Sequence, residues 1–247
     1  MKNSPSLTIA RLATTAVAIG LASSASFASA ISPSPTPNAA AAAHLAAIQT
    51  KGDADITARL TSLNTLIAKV GAATRLSASQ KTSLTSEMQV QVTGLTTLKT
   101  SIDADTTPAT ARADYDKIFT EHFIYAFYIP RINRIMAADA ETEATATLVT
   151  LATTLQSYVT QAKASGNDVT SIQAALADMQ AKTADATTQS QSVLNALLPL
   201  TATGYPGNKA IVQGATAAIN TGRSDLKTAR SDAGAIVTSL KKMLGLK

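Results

Sequence analysis

Two histidines, scattered carboxylates and arginines, and no cysteine are what this 247-residue sequence offers for chemistry. Without cysteine there can be no disulfide framework, no thiolate nucleophile and no zinc–thiolate site. His44 lies in an alanine-rich run and His122 on an apolar helical seam. Neither comes with a hydroxyl or amine nucleophile and an orienting acid, so no catalytic triad can be assembled. A metal would need further ligands three or four residues away on the same helix face, and Glu121-His122 has none. Asp53-Ala54-Asp55 and Asp103-Ala104-Asp105 look like fragments of calcium loops but lack the sixth-position glycine and twelfth-position glutamate. Glu141 and Glu143 read as surface neighbours. No glycine-rich phosphate loop is present. Leu198-Pro199-Leu200-Thr201-Ala202 looks like a cell-wall sorting signal, but amphipathic sequence continues to Lys247, so it reads as a helix terminator. The expectation is a protein that is not an enzyme, with no cofactor and no metal.

The densest local feature is aromatic. The chain has five tyrosines and four phenylalanines, and six of these nine lie between Tyr115 and Tyr128. Phe119, Phe123 and Phe127 recur every four residues, which on one continuous helix makes a stripe to the side of the main apolar seam. Ile124 and Tyr128 fill much of the remaining surface. A segment apolar almost all round is normally buried on all sides, so the plainest reading is a crowded middle where helices overlap. The alternative is an interaction patch made of Phe119, Phe123, Phe127 and Tyr128 with Arg131 and Arg134 just beyond. The two arginines could receive a carboxylate or phosphate, or pair with Asp114, Asp116, Glu121 or Asp139.

The elements that carry these residues follow from spacing. Apolar residues alternate at intervals of three and four through five segments, and nothing alternates with period two for long enough to be a strand. The first segment, about Asn38 to Ala73, has the seam Ile56, Leu60, Leu63, Ile67 and Val70. The second starts near Ser79 and follows Leu84, Met88, Gln91, Leu95, Leu98 and Ile102. Thr107-Pro108 opens the third, because proline at the first helical position gives up an N–H that would be unpaired anyway. Its seam is Tyr115, Ile118, His122, Tyr125, Ile129, Ile132 and Met136, resuming with Leu148, Leu151, Leu155 and Tyr158. Pro130 predicts a kink or break in its middle. Gly166-Asn167-Asp168 is a stop followed by a cap. The fourth segment follows Val169, Ile172, Leu176, Met179, Thr183, Ala186, Ser190, Val193 and Leu197 up to Pro199. After the Gly204–Asn208 turn, the fifth passes through Val212, Ala215, Ile219, Leu226, Ala229, Ile236, Leu240 and Leu244. The pattern predicts an all-α, elongated antiparallel helical bundle, coiled-coil-like, with about five long helices. It spans 39–247, either as one bundle or as two sub-bundles, 39–129 and 131–247, that share the long third helix.

Residues 1–30 read as a signal peptide. Lys2 and Arg11 form the basic region, Leu12–Leu21 a short apolar stretch, and Ala28-Ser29-Ala30 a small-residue cleavage site. Residues 31–38 form a Pro/Ser-rich spacer. The expectation is export, with cleavage after Ala30 and no transmembrane anchor afterwards. The remaining chain has nineteen basic and sixteen acidic residues, a net +3. The basic residues are scattered singly, without exposed aromatics between them, which argues against nucleic acid as a partner.

From Gly52 to about Leu240 the chain resembles a group of uncharacterised exported helical-bundle proteins of reduced-genome candidate-phylum bacteria. The residues that carry this are Gly52-Asp53-Ala54-Asp55-Ile56 continuing to Asn64, Ile102–Thr106, Tyr128–Arg131, Gly166–Val169 and Leu226–Arg230. The resemblance implies export and a helical bundle, and it brings neither an activity nor site residues. The functional expectation is a non-enzymatic exported scaffold or protein-binding module, secreted or at the cell envelope. Its partner would be a protein, either a second copy or an envelope component. The alternative is a small-ligand carrier or enzyme with a pocket between helices.

Overall fold

The computed structural model describes residues 37–245, so the expected leader and residues 31–36 of the spacer lie outside it. Five long helices pack together, joined by one short one: α1 (Pro37–Gly71), α2 (Ala78–Ala104), the short α3 (Pro108–Thr120), α4 (Ile129–Ala164), α5 (Thr170–Leu197) and α6 (Lys209–Leu244). The described residues contain no strand, and the chain is an all-α helical bundle. α1 takes in Pro37 and Asn38, the last two residues of the expected spacer.

The ends of the helices are set by local chemistry. Ser77 caps α2, its hydroxyl accepting from the Gln80 N–H while the Gln80 side chain accepts from the Ser77 N–H 2.8 Å away, a reciprocal pair that satisfies two otherwise unpaired donors. Thr107 caps α3 by accepting from the Thr110 N–H at 3.3 Å, with Pro108 in the first turn. Asp168 Oδ1 accepts from the Thr170 N–H at 2.9 Å where α5 begins.

The third segment departs from its expected form. The break falls at Glu121–Phe123, ahead of Pro130, and a single π-helical turn follows at Ile124–Tyr128. The Tyr128 N–H donates to Phe123 O, five residues back, at 3.2 Å. Such a turn inserts one residue into the helical repeat and re-phases everything after it. The buried positions accordingly become Ile124, Phe127, Tyr128, Arg131, Ile132, Ile135 and Ala138, whereas Tyr125, expected on the seam, is 49% exposed. Pro130 falls in the first turn of α4, directly after the π turn, where proline is tolerated.

The apolar side chains form two cores. The first gathers α1, α2, α3 and the π turn around the start of α4 (Ile132, Ile135), the end of α5 (Val193, Leu197) and the start of α6 (Val212, Ile219). The second joins the other halves of the last three helices through Leu148, Leu155 and Val159 of α4, Leu176 and Met179 of α5, and Leu226 and Ile236 of α6. α5 therefore runs antiparallel to α4 and α6. Between the cores each of these helices carries a polar or small residue: Glu141 on α4, Ser190 on α5 and Gly222 on α6. Glu141 is buried, which corrects its reading as a surface neighbour of Glu143. The Ser190 hydroxyl donates to Glu141 Oε2 at 3.2 Å, and a Cβ on Gly222 would lie 2.9 Å from that same oxygen. Glycine is what lets α6 close over the carboxylate. None of the described helices is long and apolar enough to cross a membrane.

Candidate functional site

The aromatic stretch does not form a stripe, because the break after Thr120 sends its rings to three different places. Phe119 stays on α3, 47% exposed, edge-on to Tyr115 with centroids 5.3 Å apart. Phe123, in the connection, packs at a 40° tilt against Tyr205 of the α5–α6 loop, centroids 4.8 Å apart. Phe127 is fully buried and meets Tyr128 edge-on at 5.2 Å. Phe127 and Tyr128 are therefore core residues, and burial pushes the Tyr128 phenol above its ordinary pKa.

Arg131 is also interior, with no exposed surface. Its Nε and Nη2 donate to the Leu197 and Leu198 carbonyls, each at 2.8 Å, and its Nη1 donates to Glu87 Oε2 at 2.6 Å. The two carbonyls are orphans of the α5 C-terminus, where a cation is favoured by the helix dipole as well. The guanidinium also stands 5.4 Å from the Phe127 ring centroid. One side chain thus ties α2, α4, α5 and the π turn together, and it has no free face for a ligand. The acids expected to pair with the arginines have other duties. Asp114 and Asp116 bind Lys117 and Arg112 on their own helix. Asp139 accepts the backbone N–H groups of Thr74, Arg75 and Leu76 at 2.8–3.1 Å, which docks the α1–α2 loop on α4.

Sequence reasoning missed Arg59. Its guanidinium lies 4.8 Å from the centroids of both Phe119 and Tyr125, between an α3 ring and a π-turn ring. Its Nη1 donates to Asp55 O at 2.8 Å. Asp55 also accepts from the Tyr115 hydroxyl at 2.7 Å and from Lys51 Nζ at 3.1 Å. The Tyr115 hydrogen bond, with the Lys51 and Arg59 charges, holds the Asp55 carboxyl below its usual range, while burial and the Asp55 bond push the Tyr115 phenol up. A phenol activated for catalysis would shift the other way. The cluster braces α1 against α3. Only the coming-together of a distant arginine with two rings could have marked it, and no local spacing carries that.

His122 and the two acidic fragments also fill structural roles. His122 Nδ1 is 2.9 Å from Gln91 Oε1, and the ring sits over Gly94, where a Cβ would come within 2.7 Å. Burial lowers its pKa, so the imidazole is neutral near pH 7. Lys99 bridges Asp53 and Asp103 at 2.5 and 2.8 Å, which joins the two acidic fragments across α1 and α2. Among the described residues no group of three or more histidines and acids converges as a metal site.

Arg134 has a different setting. It is half-buried, its Nε donating to Thr216 Oγ1 of α6 at 3.0 Å and its Nη1 to Pro130 O at 2.9 Å. It borders a pocket of about 130 Å³ between the start of α4 and the start of α6, with Phe127, Pro130 and Val212 as apolar wall and Tyr205, Lys209 and Gln213 as polar rim. A larger open groove, about 470 Å³, runs between α4 and α5 past Val149, Ala152, Thr153, Thr183 and Thr187. No protein-family model matches the chain, and no curated protein or solved structure is significantly similar to it.

Proposed function

We propose that this chain is an exported, non-enzymatic helical scaffold or protein-binding module of the cell envelope or the surrounding medium. The observation that carries the reading is how the reactive side chains are used. Arg131, Asp139, Glu141 and His122 each make contacts between elements of the fold, and where Ser190 meets Glu141 and Tyr115 meets Asp55, the hydroxyl–carboxylate pair joins two helices. Among the exposed apolar side chains, Phe119 and Tyr125 stand together, the two rings covering the buried Arg59. Such a pair suits a protein partner, since exposed aromatic rings are among the side chains that dominate protein contacts. Export rests on the reading of residues 1–30 as a leader.

Fractionation of the producing cells, with mass spectrometry of the recovered N-terminus, tests export. The expected product begins at Ile31 in the envelope or medium, and an uncleaved cytoplasmic chain would overturn the reading. Sedimentation of the mature chain, with and without a Phe119→Ser/Tyr125→Ser change, tests self-association through the same face.

A second reading, a small-ligand carrier, is favoured by one observation, the pocket beside Arg134.

A further inference from the structure

The pocket between the starts of α4 and α6 points to a ligand of its own. Its floor is apolar, formed by Ala126, Phe127, Pro130 and Val212, and its rim carries Arg134, Lys209, Tyr205 and Gln213. Two of these four polar groups are cations, and no acid lines the pocket. Among the described residues neither cation pairs with a carboxylate: Arg134 spends Nε on a hydroxyl and Nη1 on a carbonyl, which leaves Nη2 free of protein partners. The first turn of α6 contains Lys209, has no acid and no side-chain cap, and so adds uncompensated partial positive charge to the same wall. An anion held in the pocket would be attracted by both cations.

We infer that this pocket binds a phosphate group, as inorganic phosphate or as the head of a phosphomonoester. Two separate cations match a dianion better than a monoanion. A guanidinium and an ammonium give directed and point-charge contacts to different oxygens, and a phenol and a carboxamide can serve the remaining ones. A space of about 130 Å³ takes the phosphate group and leaves any ester tail to emerge from the mouth. Neither the scaffold reading nor export is needed for this assignment, and a failure here leaves both standing.

The test uses the full mature chain. Inorganic phosphate is titrated calorimetrically at pH 7.5 and constant ionic strength, with acetate as the comparison. In parallel, flotation is measured with phosphatidylcholine vesicles that contain or lack phosphatidic acid. Saturable one-site binding of phosphate, weakened roughly tenfold or more in either Arg134→Gln or Lys209→Gln, is the expected result. Lys209 is exposed, so its variant leaves the fold intact even if loss of the Arg134–Thr216 bridge does not. Binding of free phosphate identifies a soluble source. Binding of phosphatidic acid vesicles alone, lost in the variants, identifies a lipid headgroup, and either result supports the assignment. No binding to either probe, equal binding of acetate, or phosphate binding unchanged in both variants overturns it.

Discussion

The two cores of this protein are built by different means. The second is close to pure heptad packing: every seam position from Val169 to Ala186 is buried, and most neighbours are Ala, Leu, Ile or Val. The first gathers parts of all six helices and the π turn, and regular packing does not suffice there. It needs Arg131 bonded to α2 and to the end of α5, Asp139 holding the α1–α2 loop, and Arg59 between two rings. Where helices meet at whole-turn intervals, shape complementarity alone specifies the contact. Where helices end inside a core, their unpaired carbonyls and amides must be satisfied by side chains. The Arg131 and Asp139 contacts of the first core therefore follow from helix ends being buried there.

The largest effect expected from this difference is at Arg131. Arg131→Ala leaves two buried carbonyls and Glu87 without their donor and a void beside Phe127. The loss should be about 3–5 kcal/mol in urea unfolding of the mature chain. A loss below about 1 kcal/mol would mean that the first core does not depend on its polar clamp, and the contrast between the cores would fail.

That contrast also explains what could be read from sequence. The bundle and the α5 and α6 seams were legible because a three–four alternation and burial are the same fact when a helix is regular. Of the expected seam from Tyr125 to Met136, Ile132 is buried as read, while the other burial falls one position earlier, at Ile124, Tyr128 and Ile135. The π turn at Ile124–Tyr128 adds a residue to the repeat, and no residue type announces it. Pro130 drew attention to the right region for the wrong reason, being the start of a helix rather than a fault within one. In the candidate site, Arg134 was legible, as Arg131 was, as a residue that could receive a carboxylate or phosphate or pair with a nearby acid. Tyr205, Lys209 and Gln213 were not, since they come to Arg134 only through the α5–α6 loop closure. Arg131 read identically to Arg134 in sequence, and only their positions relative to the end of α5 separate them.

A smaller effect is expected at the border between the cores. Burial raises the Glu141 pKa above its ordinary value, and the Ser190 hydrogen bond and the Arg223 charge offset this only in part. The folded state therefore binds the proton more tightly than the unfolded chain does. Stability from this group is fully present below the ordinary glutamate pKa and is lost as pH rises through the higher folded value. Glu141→Gln keeps an acceptor for Ser190 without the buried charge. The variant should be more stable than the parent at pH 7.5, and the difference should shrink to nothing as pH falls toward 4, measured as paired thermal midpoints. A difference constant over that range would place Glu141 in a solvated setting and make the border part of an ordinary surface.

The smallest effect is at Arg59, and it bears on whether the first core's polar bracing reaches the surface. Phe119→Ala and Tyr125→Ala each remove one half-exposed ring from the buried guanidinium, and such a contact contributes about 0.5–2 kcal/mol, from exposed to desolvated settings. The rings also cover the arginine stem, so each loss should lie near the upper part of that range. Helix propensity works in the opposite direction for Phe119, since alanine is the better helix former on α3, by up to about 0.7 kcal/mol. A direct comparison of stabilities would therefore understate the contact at Phe119. A double-mutant cycle with Arg59→Met cancels the propensity change and leaves the coupling alone. Coupling of about 0.5 kcal/mol or more to each ring would make the exposed aromatics braces of the first core, exposed because the arginine they cover lies near the surface. Zero coupling to both would free Phe119 and Tyr125 from any structural duty. Their exposure would then need another explanation, and contact with a partner protein would be the one left.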